Sequence, residues 1–300
     1  GSATRAAGVR PLAAAARAGV PGGFSQHGGA EWVGTSRNRV RKVHIPNLFI
    51  VPAGIPCMFG ISTYCLHHEP LSLALERLAP LTDCVEVMDE GLHFLESAEP
   101  LESYSYLYFI HAPARGINIA SILEPIRRAS VEVLTQTFGI AAEVGADVVI
   151  HPGYYAWSQE RERAAGRFRQ SLDELTAAAD DLSVTFFVEN MGNWEYFFLR
   201  SCEDLPLVDG IGLALDVGHA HLNGCLDCFL THPAAHFHLH DNDGTADTHS
   251  PVGAGTIDFT AVMDAVARSN VIPIVEVETL DGVTASIDAL TAIDAAARGG

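Results

Sequence analysis

The chain has 300 residues, enough for one large α/β domain with a sizeable core or for two ordinary domains. Its formal net charge is −19. Residues 1–57 carry seven basic side chains and one acidic, so the remainder holds −25, a surface that repels a phosphate backbone and argues against a nucleic-acid partner. Lys42 is the only lysine, which excludes a Schiff-base or Walker-type phosphate lysine from everything after it, and no apolar run reaches the ~18–20 residues of a membrane span.

Residues 1–57 are Ala/Arg-rich and then Gly-rich, with no helical stripe or strand alternation. We read them as a disordered or loosely packed N-terminal extension, or as sequence upstream of a start at Met58. An Arg-rich, acid-poor segment is also the composition of a targeting peptide. From Met58 the pattern becomes regular. MFGISTYCL reads as a strand, LSLALERLAPL as an amphipathic helix, CVEVMDE and SYLYFIHAP as strands two and three. ILEPIRRASVEVLTQTFGIAAEVG is a long helix closed by Gly145, and DVVIHPG is strand four. An amphipathic helix over 158–180 precedes strand five, VTFFVEN, and a short helix near CEDLPLV precedes strand six, IGLALDVGHAH. AHFHLHDND is strand seven, FTAVMDAVARS a helix, IPIVEVET strand eight, and TASIDALTAIDAAARG a closing helix.

Eight apolar strands alternating with helices predict a parallel sheet, and the length from 58 to 300 suits a single (β/α)8 TIM barrel of ~250 residues. A doubly wound sheet would want a glycine-rich loop after strand one, and ISTYCLHHEP has no glycine. The six cysteines contain one C-x-x-C, Cys225 and Cys228, without the second pair of a structural zinc site; reduced thiols in a cytoplasmic protein are expected.

Six ligand-competent residues stand at the ends of the apolar runs: His111, His151, Glu189, Asp216, His238 and Glu276. Repeated delivery of such groups by strand C-termini is what the catalytic face of a metal-dependent barrel requires. Asp216 is followed three residues on by His219, a spacing that suits either a metal pair or an Asp N-cap with a surface histidine. His236, His238 and His240 share one strand face, so all three should point into the barrel, with His236 as a hydrogen-bonded core histidine and at least one ligand among them. Asp247 and His249 lie in a turn-rich loop after strand seven, on the same side. Glu276 and Glu278 share a face by strand periodicity, leaving the choice between them open. Glu86 on strand two faces the interior as a candidate substrate-binding residue. Arg115 is a candidate anchor for a phosphate or carboxylate, and Trp194, with Phe197 or Tyr154, for an apolar wall; a surface arginine and core packing are the alternatives.

These residues carry a family resemblance. Residues 58–292, through the words HAPARGINI, IHPG, VEN, DVGHAH, HLHD, DTHSPVGAG and PIVE, resemble the xylose-isomerase-like TIM-barrel superfamily, which includes sugar-phosphate isomerases/epimerases and endonuclease IV. The epimerase-like members imply one divalent metal at Glu189, Asp216, His238 and Glu276. Endonuclease IV implies three zinc ions, with further ligands at His111, His151, His219, Asp247 and His249. His240 departs from the pattern, replacing the Lys or Asn of H-x-K-D and H-x-N-D. The expected cofactor is therefore one to three zinc, manganese or cobalt ions. The leading expectation is an isomerase/epimerase of a sugar or sugar phosphate, with Glu189 and Glu276 moving the proton next to a polarised carbonyl. The alternative is an endonuclease IV-like multinuclear zinc phosphodiesterase acting on abasic DNA, which the nine ligands favour and the charge disfavours. A non-enzymatic binder on a barrel scaffold is the third reading.

Overall fold

A computed structural model describes residues 59–299; the N-terminal extension lies outside the described residues. Eight parallel strands close into a barrel in sequence order: β1 (Gly60–Ser62), β2 (Cys84–Met88), β3 (Leu107–His111), β4 (Asp147–Ile150), β5 (Phe186–Glu189), β6 (Gly212–Asp216), β7 (His236–Leu239) and β8 (Ile274–Val275). β1 pairs with β8, so no sheet edge remains to be covered. The helices are α1 (Leu71–Leu78), α2 (Glu99–Glu102), α3 (Glu124–Val144), α4 (Arg161–Leu182), α5 (Val217–Leu222), α6 (Leu226–Phe229), α7 (Phe259–Ser269) and α8 (Leu280–Gly299). This is the expected (β/α)8 TIM barrel.

Local chemistry sets the boundaries. α3 opens with Pro125 in its first turn, where a missing N–H is harmless, and ends at Gly145, whose φ of 69° suits the left-handed cap read from the sequence. Asp258 accepts the Thr260 N–H to start α7. The expected short helix near CEDLPLV is a 3-10 segment, Cys202–Val208, since Pro206 denies an α-helix its ladder. Strands β3 to β7 bury nearly every side chain between barrel interior and helices, which is why their sequences run apolar without alternation.

α3 and α4 pack side by side and share a buried Arg127, which donates to Glu124, Glu174 and Ser171. A fully paired buried arginine avoids the several kcal/mol an isolated charge would cost. The thiols depart from expectation. Cys202 and Cys228 form a disulfide, while Cys65, Cys84 and Cys225 stand outside any disulfide among the described residues. The expectation of reduced thiols is corrected at this pair, which ties the 3-10 segment after β5 to α6. No helix among the described residues is long and apolar enough to cross a membrane.

Candidate metal centre

The strand ends converge on one mouth of the barrel. β3, β5 and β6 end in His111, Glu189 and Asp216; His151 and Glu276 follow β4 and β8 by one residue, and His238 lies within β7. Besides the deeper cluster of Glu86, His236 and His238, three groups of side chains there place nitrogen or oxygen atoms within 4.8 Å of one another. The first is His111, His151 and Glu189. The second is Glu189, Asp216, His238 and Glu276. The third is His219, Asp247 and His249, together with His240. All nine side chains named as ligand candidates from the sequence fall into these groups, and Glu189 belongs to two.

Glu189 divides its oxygens between its groups. Oε2 lies 3.2 Å from His111 Nε2 and 2.9 Å from His151 Nε2, while Oε1 lies 3.1 Å from His238 Nδ1. His238 Nδ1 is also 3.2 Å from Glu276 Oε2 and 3.8 Å from Asp216 Oδ2. In the third group His219 Nε2 lies 3.1 Å from Asp247 Oδ2, and His249 Nε2 3.5 Å from Asp247 Oδ1.

The groups behind these atoms fix their orientation. His111 donates Nδ1–H to the Ala112 carbonyl, His219 to that of Asn190, and His249 to that of Glu276. Each bond leaves Nε2 directed at the centre, the outer-shell pattern of a metal-binding histidine. His238 is held from the other side, with Nε2 2.9 Å from Glu86 Oε1, while His236 donates Nε2–H to Glu86 Oε2 at 2.7 Å. An imidazole and carboxylate donor set with this support suits zinc, manganese or cobalt.

The electrostatics are those of ligands gathered without hydrophobic filling. Burial pushes Glu189 upward, but His238, His151 and His111 hold it well below the usual carboxylate range. Asp216 is held low against its own burial by His219 and His240. Burial alone would lower the histidines, yet Glu189 lifts His111 to about 9, and Asp247 with Glu276 lifts His249 to about 9. His236 is the exception: desolvation outweighs Glu86 and leaves it below its ordinary value, consistent with a core position.

Two readings of Asp216 turn out to be compatible. It caps α5, accepting the His219 N–H at 2.7 Å, and the same helical turn returns the buried His219 ring to the centre. The sequence reading ran strand six through this segment; the strand in fact ends at Asp216. The loop carrying Asp247 and His249 is anchored by a residue the sequence reading passed over. Buried Asp241 accepts the N–H groups of Gly253, Gly255 and Ile257. Asn190 is a second such residue: its side chain accepts from Asp216 N and donates to Asp216 O. For Asn190 the available signal was an amide directly after the strand-end Glu189; for Asp241 it was a carboxylate just past the end of β7.

Above the ligands lies a cleft of about 770 Å³, lined among others by Tyr64, Asn118, Arg115, Tyr154, Trp194 and Phe197. Trp194 packs edge-on against Tyr154 and Phe197 and remains 45% exposed, so it offers a ring surface to an occupant. Arg115 lines the rim, paired with Glu90 at 3.5 Å. Tyr64, not singled out in the sequence, contacts the His249 ring at 5.1 Å between centroids. Glu86 does not line the cleft. It is fully buried beneath His238, with its carboxylate against His236 and His238 rather than at the cleft where a substrate-binding residue was expected. Glu276 is buried in the second group, whereas Glu278 is exposed.

Comparison with known proteins fits this geometry. The family described as xylose isomerase-like TIM barrel matches residues 91–297. An uncharacterized protein of Methanocaldococcus jannaschii is 29% identical over 243 residues, covering 74% of this chain and 96% of its own. A probable endonuclease 4 of Mycobacterium leprae is 29% identical over 187 residues, covering 56% of this chain and 72% of its own. Among solved structures, a D-tagatose 3-epimerase-like protein superposes with a TM-score of 0.72 at 26% identity, covering 78% of this chain and 96% of its own.

Proposed function

Because the chain belongs to the xylose isomerase-like TIM-barrel family, we propose that it is a divalent-metal-dependent hydrolase of phosphoesters with a multinuclear centre. The observation that carries this reading is the divided Glu189 carboxylate, with one oxygen toward His111 and His151 and the other toward His238. A carboxylate shared by two ligand groups is what a bridge between adjacent ions needs. Ions held there would supply a strongly acidified water and positive charge at phosphoryl oxygens.

The chain's own residues do the rest. The Nδ1–H bonds of His111, His219 and His249 hold their rings in ligating orientation before anything binds, so little reorganisation is left for the reaction. Arg115 supplies a cation at the rim, and Trp194, Tyr154 and Phe197 give the organic part of the substrate an apolar face that keeps water out. The acidic balance of the barrel favours a small phosphoester over a nucleic-acid duplex. The likeness to a protein named probable endonuclease 4 supports phosphodiester chemistry at such a centre.

A sugar or sugar-phosphate isomerase/epimerase is the second reading. Glu189 Oε1 and Glu276 Oε2 flank His238 Nδ1 at 3.1 and 3.2 Å, the paired carboxylates that proton transfer across a carbon uses, and the likeness to an epimerase-like structure favours it. Against it, Glu189 has its other oxygen held by two histidines, which leaves it a poor mobile base. Elemental analysis of the purified chain, joined to assays on bis(p-nitrophenyl) phosphate and an abasic-site duplex, tests the choice. Two or three ions per chain and chelator-sensitive hydrolysis are expected. One ion per chain, with no phosphoester cleaved at saturating metal, would overturn the hydrolase.

A further inference from the structure

The nine ligands of the three groups leave one imidazole at the centre without a role. His240 is fully buried, and it lies among the third group. Its Nε2 is 4.0 Å from Asp247 Oδ1, and its ring stacks on that of His249, with centroids 3.9 Å apart and planes 12° from parallel. A ligand atom of His240 falls within 4.8 Å of those of His219, Asp247 and His249.

Hydrogen bonding alone does not account for the residue. Nε2–H is donated to Asp216 at 3.0 Å, but Nδ1 is buried with no hydrogen-bond partner. A buried polar atom left so is uncommon and costs about 1–3 kcal/mol. The backbone also makes specific room for the ring. A Cβ at position 218 would stand 2.0 Å from His240 Cε1, so only glycine admits this imidazole. Gly218 lies between Asp216 and His219, so the passage from β6 into α5 presents two ligands and leaves the space that His240 fills.

We propose that His240 is a fourth protein ligand of the third ion, which makes that site a closed set of three histidines and one aspartate. The inference rests on the multinuclear reading and assigns different work to its ions. Four protein ligands mark a structural ion; three mark one that keeps a position for water or substrate. His219, Asp247 and His249 line the cleft, and His240 closes the set from the buried side. The third ion thus fastens the loop bearing Asp247 and His249 to α5, and hydrolysis falls to the two groups that share Glu189.

The test uses the full chain, stripped with a chelator and titrated with Co(II) and Zn(II), with metal content and visible absorption followed together. His240→Gln keeps an N–H able to reach Asp216 and removes the ligand nitrogen. It should bind one ion at least about 100-fold more weakly and lose the intense Co(II) bands of a four-coordinate site, with the other two ions within about threefold. His240→Cys puts a thiolate in the same place. A sulfur-to-cobalt charge-transfer band is expected, and it arises only if residue 240 touches the ion. Unchanged affinity and spectrum in His240→Gln, or no such band in folded His240→Cys, would overturn the proposal. A wild-type chain that binds a single ion at saturation would instead overturn the multinuclear reading beneath it.

Discussion

Metal uptake by the stripped protein should steepen sharply with pH through the neutral range. Burial would hold His111 and His249 neutral, but Glu189 in one case, and Asp247 with Glu276 in the other, lift both rings to about 9. Each ring is therefore protonated at pH 7, and an incoming ion must displace that proton. Below pH 9 every such ring contributes about one decade of affinity per pH unit to the ion it holds. For the group of His111, His151 and Glu189 this gives about 100-fold between pH 7 and pH 9. The third group holds two raised rings, because Asp216 and Asp247 keep His219 well above its ordinary value against the effect of burial. Its ion should therefore gain more than the first group's about 100-fold over the same interval. Competition with a chelator of known protonation, at fixed ionic strength from pH 6.5 to 9.5, measures this directly. Calorimetry in buffers of different ionisation enthalpy counts the protons released. Affinity that stays flat from pH 7 to pH 9 for every ion would refute the idea that the carboxylates keep these imidazoles charged.

The fold stability of the stripped protein should run the other way. The His111 pKa of about 9 lies above its ordinary value of 6.5, so the charged ring's contribution is complete below pH 6.5 and is lost as pH rises through about 9. Thermal melts of stripped protein should therefore fall between pH 6.5 and pH 9, while melts at saturating zinc hold or rise. The opposite signs separate a protonated apo site from a general alkaline destabilisation.

Three further outcomes follow from the geometry. Glu189→Gln removes the charge shared by two groups, so elemental analysis should find only the ion of His219, Asp247 and His249 retained. Trp194→Ala removes the exposed ring of the cleft wall and should raise KM for an aryl phosphoester about tenfold with kcat within about threefold, whereas a fall in kcat alone would mean the ring does not bind substrate. Cys228→Ser opens a loop closed over 26 residues, and denaturant unfolding should show a loss of about 3.5 kcal/mol, the loop-entropy value.

The strands were legible because a parallel strand buried on both faces has to be an apolar run, and a run that ends in His, Asp or Glu announces its functional end. Depth was not legible. Periodicity put Glu86 on the interior face, but parity says nothing about height along the barrel. The ladder pairs Glu86 with Phe109 and Met88 with His111, so Glu86 sits two residues below the layer of ligands. The choice between Glu276 and Glu278 stayed open for a related reason. β8 is only Ile274–Val275, after which Glu276 N bonds to Leu239 O and Glu278 N to His249 O, so strand alternation no longer governs where the two side chains go. His240 could be noticed only as an unexpected residue, since its role depends on a gap at Gly218 that no local pattern encodes. The disulfide joins segments after β5 and β6 that come together only once the barrel closes.

The number of ions and the charge of the substrate are one question. Glu189, Asp216, Asp247 and Glu276 bring four carboxylates to the centre, and buried carboxylates need a compensating cation. Three divalent ions exceed these four charges by two, and an anionic phosphoester then enters a favourable field. A single ion falls short by two, and an anion is repelled unless the histidines keep their protons, which is the state in which they cannot ligate. Arg115 does not reverse the sign. Its side chain is 88% exposed and paired with Glu90, so its field is largely screened beyond about 8 Å at physiological salt. A three-ion protein should therefore favour anionic esters, and a one-ion protein should favour neutral sugars. Efficient turnover of a neutral sugar by a three-ion chain would contradict this electrostatic reasoning, whatever the chemistry of the step.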